Sequence, residues 1–453
     1  MAKSIVSPKT YLTYSLGCRT NQAEMESISL QLTAYGLRQF NPFTLPLSYS
    51  PDLILLNTCV VTEKAERETR KEIRRLQRLH PKSFLVVLGC AVTAKQKFTI
   101  NLPEVELLLS NEDKNRVIEL LEQKYGSFKK RNQHPTIDNL YIRSGRKFIK
   151  IQEGCHLFCS FCQTAYLRGE PESVPPAQVI KEINFWLEKG IKEIILTGIN
   201  IALYGLDLKE KVNITDLVKL ILKETPAERI SFSSIYPEML TQDFLGLIIK
   251  EPRISRCFHL CLQSGSRTVL KRMNRETALL ETKKKLLSLK KKIPEFTFRA
   301  DIIVGFPGET EKEFKKTLDF IKKVKISFVH SFLFSIRPGT KAERMIKSGK
   351  WQEVPIAIKK KRAEILKKEI EKIRHNLAIE QLNNKTNCLI VRKITHGYEG
   401  ITENGWPVLI KSPELKVKSI KGKILPVKTT KVKNDQLWGK FCLCQHSRGE
   451  LLG

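Results

Sequence analysis

No stretch of eighteen apolar residues interrupts this chain, so no membrane-spanning helix is expected. The opening Met1-Ala2-Lys3-Ser4-Ile5 lacks the apolar core of a secretory signal, which favours a cytoplasmic protein. Without a secretory context, eleven cysteines do not read as a disulfide framework. Clustered thiols then read as metal ligands, and isolated ones as small core residues. Acidic residues are also scarce: 47 Asp and Glu stand against 79 Lys and Arg, a net charge of +32. Such an excess suits a polyanionic partner, nucleic acid first, with a merely soluble lysine-rich surface as the alternative. What remains is ordinary: 453 residues with 41% hydrophobic content are enough for two or three domains with real cores.

The densest chemistry lies in Cys155, Cys159 and Cys162, a C-x3-C-x2-C loop directly after the strand-like run Phe148-Ile149-Lys150-Ile151. Such a loop folds three sulfurs onto one metal cluster and supplies no fourth. Three cysteinyl ligands on a four-iron cluster leave one iron open, and an open metal position is where chemistry happens. A structural zinc site is the alternative, but it wants four ligands, and His156 beside Cys155 is badly placed to be one.

Three further cysteines share a pattern. The strand-like runs Tyr11–Leu16, Leu53–Leu56 and Phe84–Leu88 are each followed at once by a thiol: Cys18, Cys59 and Cys90. Helical stretches separate these runs, so a parallel sheet covered on both faces, flavodoxin- or Rossmann-like, is expected. All three thiols then fall at the carboxyl edge of one sheet, where open α/β sheets place their ligands. Burial as core filler would explain one such cysteine more easily than three. The helix after Cys59 carries Lys64, Arg67, Arg70, Lys71, Arg74, Arg75 and Arg78, and a later helix spans Lys359 to Arg374. A solvated face is the bland reading of each; together they allow a polyanion track.

From Phe148 onward six βα units follow, with strands at Glu193–Thr197, Ile230–Ser234, Phe258–Leu262, Ala300–Val304 and Val329–Leu333, which predicts a partial (βα)6 barrel. Within Phe258–Leu262 the alternation turns Cys257, His259, Cys261 and Gln263 toward the interior, where the two cysteines read as fillers. Gly198, and Gly305 to Thr310, end strands in turns that permit close backbone approach, with Thr310 a candidate N-cap. The expected divisions are an N-terminal domain over 1–125, a linker over 126–146, the barrel over 147–355, a bridging helix over 356–383 and a small basic β-domain over 384–453. The last shows short strands near Cys388–Val391, Val408–Ile410, Lys416–Lys418 and Leu425–Val427, with a tight turn at Asn404-Gly405. RNA contact or a purely structural cap would both suit it. Cys442 and Cys444 have no evident partners.

These residues resemble the radical S-adenosylmethionine methylthiotransferases over nearly the whole chain. The Cys155 loop, with Phe161 before the last thiol, resembles the radical signature, and Cys18, Cys59 and Cys90 match the family's auxiliary-cluster ligands. Glu193–Asn200, Gln263-Ser264-Gly265-Ser266, Asp301–Thr310 and Arg337-Pro338-Gly339-Thr340 extend the likeness. Gln163 and Thr164 after Cys162, Val174 after Ser173, and Cys261 in place of a usual proline depart from it, while Arg168-Gly169 is kept. The resemblance implies two 4Fe-4S clusters, one on each cysteine set, and S-adenosylmethionine bound at the Cys155 set, where its reductive cleavage starts the reaction. Thr197 and Gly198, at a strand end, are the candidate contacts to S-adenosylmethionine. It also implies tRNA as partner, a flavodoxin- or ferredoxin-type electron donor, a monomer, and a TRAM-like C-terminal module. Asn21-Gln22-Ala23-Glu24 and Thr58 to Arg67 look most like the branch that methylthiolates C2 of N6-threonylcarbamoyladenosine at tRNA position 37. Isopentenyladenosine 37 or a ribosomal protein are alternative targets, and a zinc-bearing RNA-binding protein is the alternative outside enzymes.

Overall fold

The computed structural model describes residues 8–40, 49–126, 145–275, 277–411 and 420–442. The expected linker, apart from its ends, the Lys416–Lys418 strand and Cys444 lie outside the described residues. Two compact units emerge. One takes the described parts of Met1–Ile142 with Glu153–Pro171 and Ser335–Arg344; the other takes the described parts of Arg143–Gln152, Glu172–Phe334 and Met345–Gly453. Among the described residues no helix is long and apolar enough to cross a membrane.

The first unit is built on strands β1 (Thr10–Ser15), β2 (Arg38–Gln39), β3 (Leu53–Thr58), β4 (Phe84–Gly89) and β5 (Leu107–Leu109). They pair in the order β2-β1-β3-β4-β5, every pair parallel, which is the flavodoxin-like order. β3 and β4 are buried at every residue because helices cover both faces. Leu53, Leu55, Phe84 and Val86 face one core with Met25, Ile28 and Val117, while Ile54, Leu56, Leu85 and Val87 face another with Ile73 and Leu76. Period-two alternation inside a continuously apolar run thus feeds two cores at once.

The second unit contains β6 (Arg146–Glu153, its last residue in the first unit), β7 (Glu172–Ser173), β8 (Glu193–Gly198) and β9 (Arg229–Phe232), ordered β7-β6-β8-β9. It continues with β10 (Cys257–Gln263), β11 (Thr297–Val304) and β12 (Phe328–Leu333), ordered β10-β11-β12. All six expected strands are present; β7 is a short addition. The two sheets meet only through isolated parallel bridges among the described residues, Ile230 to Ile254 and Ile235 to Leu260, so the barrel has a seam after β9. Helices alternate with the strands as predicted. Thr310 caps Glu311–Val324, accepting from Glu313 N at 3.2 Å while Glu313 accepts from Thr310 N at 2.9 Å.

The C-terminal strands β13 (Lys385–Ile394), β14 (Gly397–Thr402), β15 (Pro407–Lys411), β16 (Ile424–Lys433) and β17 (Gln436–Phe441) close into a barrel in the order β13-β14-β15-β17-β16. Sequence reading missed β14 and β17, whose glycines and mixed polarity weaken the strand pattern. The Asn404-Gly405 turn docks on the starts of β10 and β11: Arg256 N donates to Glu403 O at 2.9 Å and Asn404 Nδ2 to Glu295 O at 3.0 Å.

The two basic helices need a corrected reading. In Glu63–Leu79, Arg67, Arg70 and Arg75 pair with Glu63, Glu66 and Glu72 of the same helix, leaving Lys71, Arg74 and Arg78 exposed. In Ile356–Glu380, Lys359 and Arg362 are buried, Lys359 bonded to Glu353 and Phe334 O, Arg362 to Glu309. Neither helix is a uniform basic track.

Candidate metal centre

The parallel sheet of the first unit ends in three thiols. Cys59 follows β3, Cys90 opens the helix Cys90–Phe98 after β4, and Cys18 caps the helix Arg19–Ala34 after β1. All three are free. Burial, and after it the neighbouring Cys90 and Cys18, raise the Cys59 thiol to about 12. Thiols that oppose one another's ionisation resist ionising together, and a bound cation reverses that, since metal ligation deprotonates its thiols. Gly17 makes the approach possible: a Cβ there would lie 2.6 Å from Cys59 Sγ, and its φ of +87° suits glycine. The donor set therefore fits an iron–sulfur cluster with three cysteinyl ligands.

A buried arginine sits against this set. Arg168 Nε is 3.3 Å from Cys90 Sγ, Nη1 reaches Glu24 at 2.5 Å and Glu153 at 2.9 Å, and Nη2 donates to Asn21 Oδ1 at 2.5 Å. Burial works against its charge, but Cys90, Glu153, Glu24 and Cys18 together hold its proton more firmly than usual. Lys114, also buried, donates to Glu24, and Asn57 donates to the same carboxylate at 3.1 Å. Two buried cations balance two carboxylates, and Asn111 Nδ2 lies 3.7 Å from Cys90 Sγ. Fixed positive charge beside thiolates favours their ionised, metal-binding form.

The second cysteine set belongs to the same unit. Gly154, at φ +70°, turns the chain out of β6 where a Cβ would meet Glu170 O at 1.8 Å. Cys155 N then donates to Gly169 O at 2.9 Å and Cys162 N to Cys159 O at 2.9 Å, so the loop folds back on itself. Thr164 N donates to Cys162 Sγ at 3.3 Å. His156 is half exposed and 3.6 Å from Glu170, directed to a carboxylate. Phe158 takes φ +44°, is exposed, and packs its ring edge-on to Tyr166.

Two segments brace this loop. Gln163 accepts from Arg337 Nε at 3.1 Å and donates to Pro338 O at 2.8 Å, while Arg337 reaches Glu66 at 2.7 Å. Ala342 N donates to Ser160 O at 2.7 Å. Gln163, which departs from the family, and Arg337-Pro338-Gly339-Thr340, which match it, thus act on the same loop. Arg168, Arg337 and Glu24 are supporting groups that the sequence reading quoted inside motifs without giving them a role.

In the second unit, Thr197 is buried at the end of β8, and a Cβ on Gly198 would lie 2.9 Å from Gln152 O. Gln152 also accepts from Asn200 N at 2.8 Å. At Gly305 the side chain of Lys359 fills the space a Cβ would take, so a neighbouring helix, and no ligand, makes the close approach there. Cys257 lies against Gly405, and burial raises the Cys261 thiol to about 12, as suits a neutral filler at Cys261. Cys442 is half-buried just after β17.

Residues 149–321 match the Radical SAM superfamily and residues 10–110 match Uncharacterized protein family UPF0004. The chain is 30% identical over 405 residues to the threonylcarbamoyladenosine tRNA methylthiotransferase MtaB of Aquifex aeolicus, covering 86% of this chain and 96% of that one. It is 33% identical over 348 residues to the protein of that name from Bacillus subtilis, covering 74% and 76%. It is 36% identical over 309 residues to the tRNA-2-methylthio-N(6)-dimethylallyladenosine synthase of Fusobacterium nucleatum, covering 65% and 70%. Among solved structures, the radical S-adenosylmethionine methyltransferase TsrM from Kitasatospora setae, with cobalamin and 4Fe-4S cluster bound, superposes with a TM-score of 0.55. It shares 15% identity and covers 76% of this chain and 78% of that chain, a likeness of fold.

Proposed function

Because the chain belongs to the radical S-adenosylmethionine methylthiotransferases, enzymes that modify tRNA, we propose that it converts N6-threonylcarbamoyladenosine 37 of tRNA to its 2-methylthio derivative. The observation that carries the choice of nucleoside is the match to a relative named for threonylcarbamoyladenosine across 96% of that relative's length. The Asn21–Glu24 and Thr58–Arg67 blocks agree with it. The dimethylallyladenosine reading keeps a specific support of its own, the 36% identity to the Fusobacterium synthase.

In this reading Cys155, Cys159 and Cys162 hold the 4Fe-4S cluster that binds S-adenosylmethionine, and Cys18, Cys59 and Cys90 hold the auxiliary one. Once bound, these groups supply the radical and the transferable methylthio sulfur. The chain's own part is to hold and charge the ligands. Arg168 keeps a positive charge against Cys90 while Glu24 and Glu153 fix its orientation. Arg337 and Gln163 keep the Cys155 loop closed. Thr197 and Gly198 offer a tight strand end for S-adenosylmethionine, and a flavodoxin- or ferredoxin-type protein supplies electrons. The C-terminal barrel suits tRNA: Lys411 and Lys431 lie 5.7 and 5.4 Å from the ring of Trp438, an aromatic flanked by cations.

Nucleoside mass spectrometry of tRNA from a strain lacking this gene tests the reading. Loss of 2-methylthio-N6-threonylcarbamoyladenosine is expected; an unchanged level, with loss of the methylthiolated dimethylallyl nucleoside, would reassign the substrate. Anaerobic reconstitution is expected to load about eight irons per chain for two four-iron clusters, and a colourless protein holding only zinc would end the radical reading.

A further inference from the structure

Three chemically active side chains meet in the second unit, on three neighbouring strands. Asp301 on β11 is 2.9 Å from His259 Nε2 on β10 and 3.4 Å from His330 Nδ1 on β12. Their ligand atoms all lie within 4.8 Å of one another. Asp301 and His330 are register partners, so both point to the same face of the sheet. The opposite face, with Phe258, Leu260, Phe298 and Ala300, is fully buried. Burial opposes ionisation of Asp301, but the two imidazoles outweigh it and hold the carboxylate down to about 2. An ionised carboxylate takes both rings by one nitrogen each. The second nitrogen of each ring, Nδ1 of His259 and Nε2 of His330, has no partner among the described residues.

The surroundings open on one side. β12 is the edge of its sheet, and His330, Ser331 and Phe332 are exposed in sequence, with the His330 side chain 51% accessible. The His330 ring stacks edge-on with Phe328 at 4.9 Å and lies 5.2 Å from His259. Flat rings at an open barrel edge are the surfaces on which an unstacked base rests. Fixed imidazole nitrogens beside them want hydrogen-bonding groups, and a hydrocarbon placed there would leave them unpaired. A site built to bond polar groups rejects the analogue that lacks them far more strongly than an apolar pocket rejects a polar guest.

We propose that His259, Asp301 and His330 form the wall that hydrogen-bonds the threonylcarbamoyl arm of adenosine 37. His330 makes the contact, and Asp301 with His259 are positioning residues that hold its ring. The threonylcarbamoyl arm brings ureido N–H groups, a hydroxyl and a carboxylate; the dimethylallyl arm brings none. This inference rests on the function proposed above and explains how the enzyme would tell the two nucleosides apart.

The test uses reconstituted full-length enzyme and two anticodon stem-loops, one with N6-threonylcarbamoyladenosine and one with N6-dimethylallyladenosine at position 37. Methylthiolated product is quantified by mass spectrometry. His330→Phe keeps the ring's bulk without its nitrogens; His330→Gln keeps a donor and an acceptor. For the threonylcarbamoyl stem-loop, His330→Phe is expected to raise KM at least about tenfold and to move kcat less. His330→Gln is expected to recover most of the loss. Preference for threonylcarbamoyl over dimethylallyl should fall by the same factor, with iron content and thermal midpoint at the wild-type values.

A wild-type preference for threonylcarbamoyl that survives His330→Phe overturns this inference alone. So does a loss of kcat at unchanged KM, or equal KM changes on both stem-loops. A stoichiometric divalent ion beyond the cluster iron, lost in His330→Phe, would make the three residues a metal site and overturn it as well. Turnover by the wild type of the dimethylallyl stem-loop only would overturn the proposed function, and this inference with it.

Discussion

Arg168 concentrates the electrostatics of the first unit in one side chain. It touches Cys90, Glu24, Glu153 and Asn21 while almost wholly buried, so its removal takes a buried cation away from two carboxylates, of which Glu24 keeps Lys114. Breaking a buried ion pair by removing one partner costs about 3–5 kcal/mol. Arg168→Met is therefore expected to lower the urea midpoint clearly and to leave about four irons fewer after reconstitution; retention of full iron would show that the guanidinium does not support the thiolates. Glu309 offers a separate test by pH. Burial raises its carboxyl to about 6, against the donors Gly305 N and Arg362. A carboxyl whose folded value lies above its ordinary 4.5 gives stability that is present at low pH and lost as pH rises through about 6. Relative to Glu309→Gln, the wild type should gain about 1 kcal/mol between pH 7 and pH 5 in chemical denaturation. A wild type that loses stability relative to Gln over that window contradicts the sign.

At the scale of elements, strand ends and the turns after them decide where sulfur goes. Gly154 is the tightest of these turns, with φ +70° and only 1.8 Å between a would-be Cβ and Glu170 O. Gly126 has a similar φ of +82° but open space around it. Gly126→Ala should cost about 1–3 kcal/mol, the backbone penalty alone, because φ +82° with ψ 167° is a conformation open essentially to glycine only. Gly154→Ala must also displace the backbone at Glu170, which anchors the loop beside Gly169 and Arg168. It is expected to abolish reductive cleavage of S-adenosylmethionine and to halve the bound iron, with the Cys18, Cys59 and Cys90 set still loaded. Iron analysis and electron paramagnetic resonance of the two variants separate these outcomes; equal behaviour of both would mean that the Glu170 contact is without consequence.

Across the whole molecule the dominant quantity is the net charge of +32. Much of the helical basic charge is paired internally, as in Arg70 with Glu66 and Arg362 with Glu309, so the surplus bears on tRNA through the exposed remainder. On the C-terminal barrel, Lys428, Lys431, Lys433 and Lys440 are exposed on neighbouring strands. If three of these neutralise phosphates, the logarithm of tRNA affinity should fall with a slope of about −2 to −3 against the logarithm of salt. Fluorescence anisotropy from 50 to 200 mM salt measures this slope. Replacing Lys428, Lys431 and Lys440 by Gln should flatten it, and an unaltered slope would move the interface elsewhere.

The apolar runs of β3 and β4, the βα alternation and the positions of six cysteines were legible in the sequence because they depend on local periodicity and spacing, which the chain carries residue by residue. The strands β14 and β17 were not, since closure of a small barrel, more than strand propensity, stabilises them. Nor could the sequence separate paired from unpaired charge: Lys359 and Arg362 read like their exposed neighbours until Glu353 and Glu309 are brought against them. The same holds for His259, Asp301 and His330, more than seventy residues apart from first to last and joined only by strand register. Local order alone pointed to the thiols expected to serve a metal, and to the sheet edge at which Cys18, Cys59 and Cys90 stand. The partners that charge, orient and shield those thiols were decided by the tertiary structure, because electrostatic and hydrogen-bonding energies depend on distance in space and the sequence records only distance along the chain.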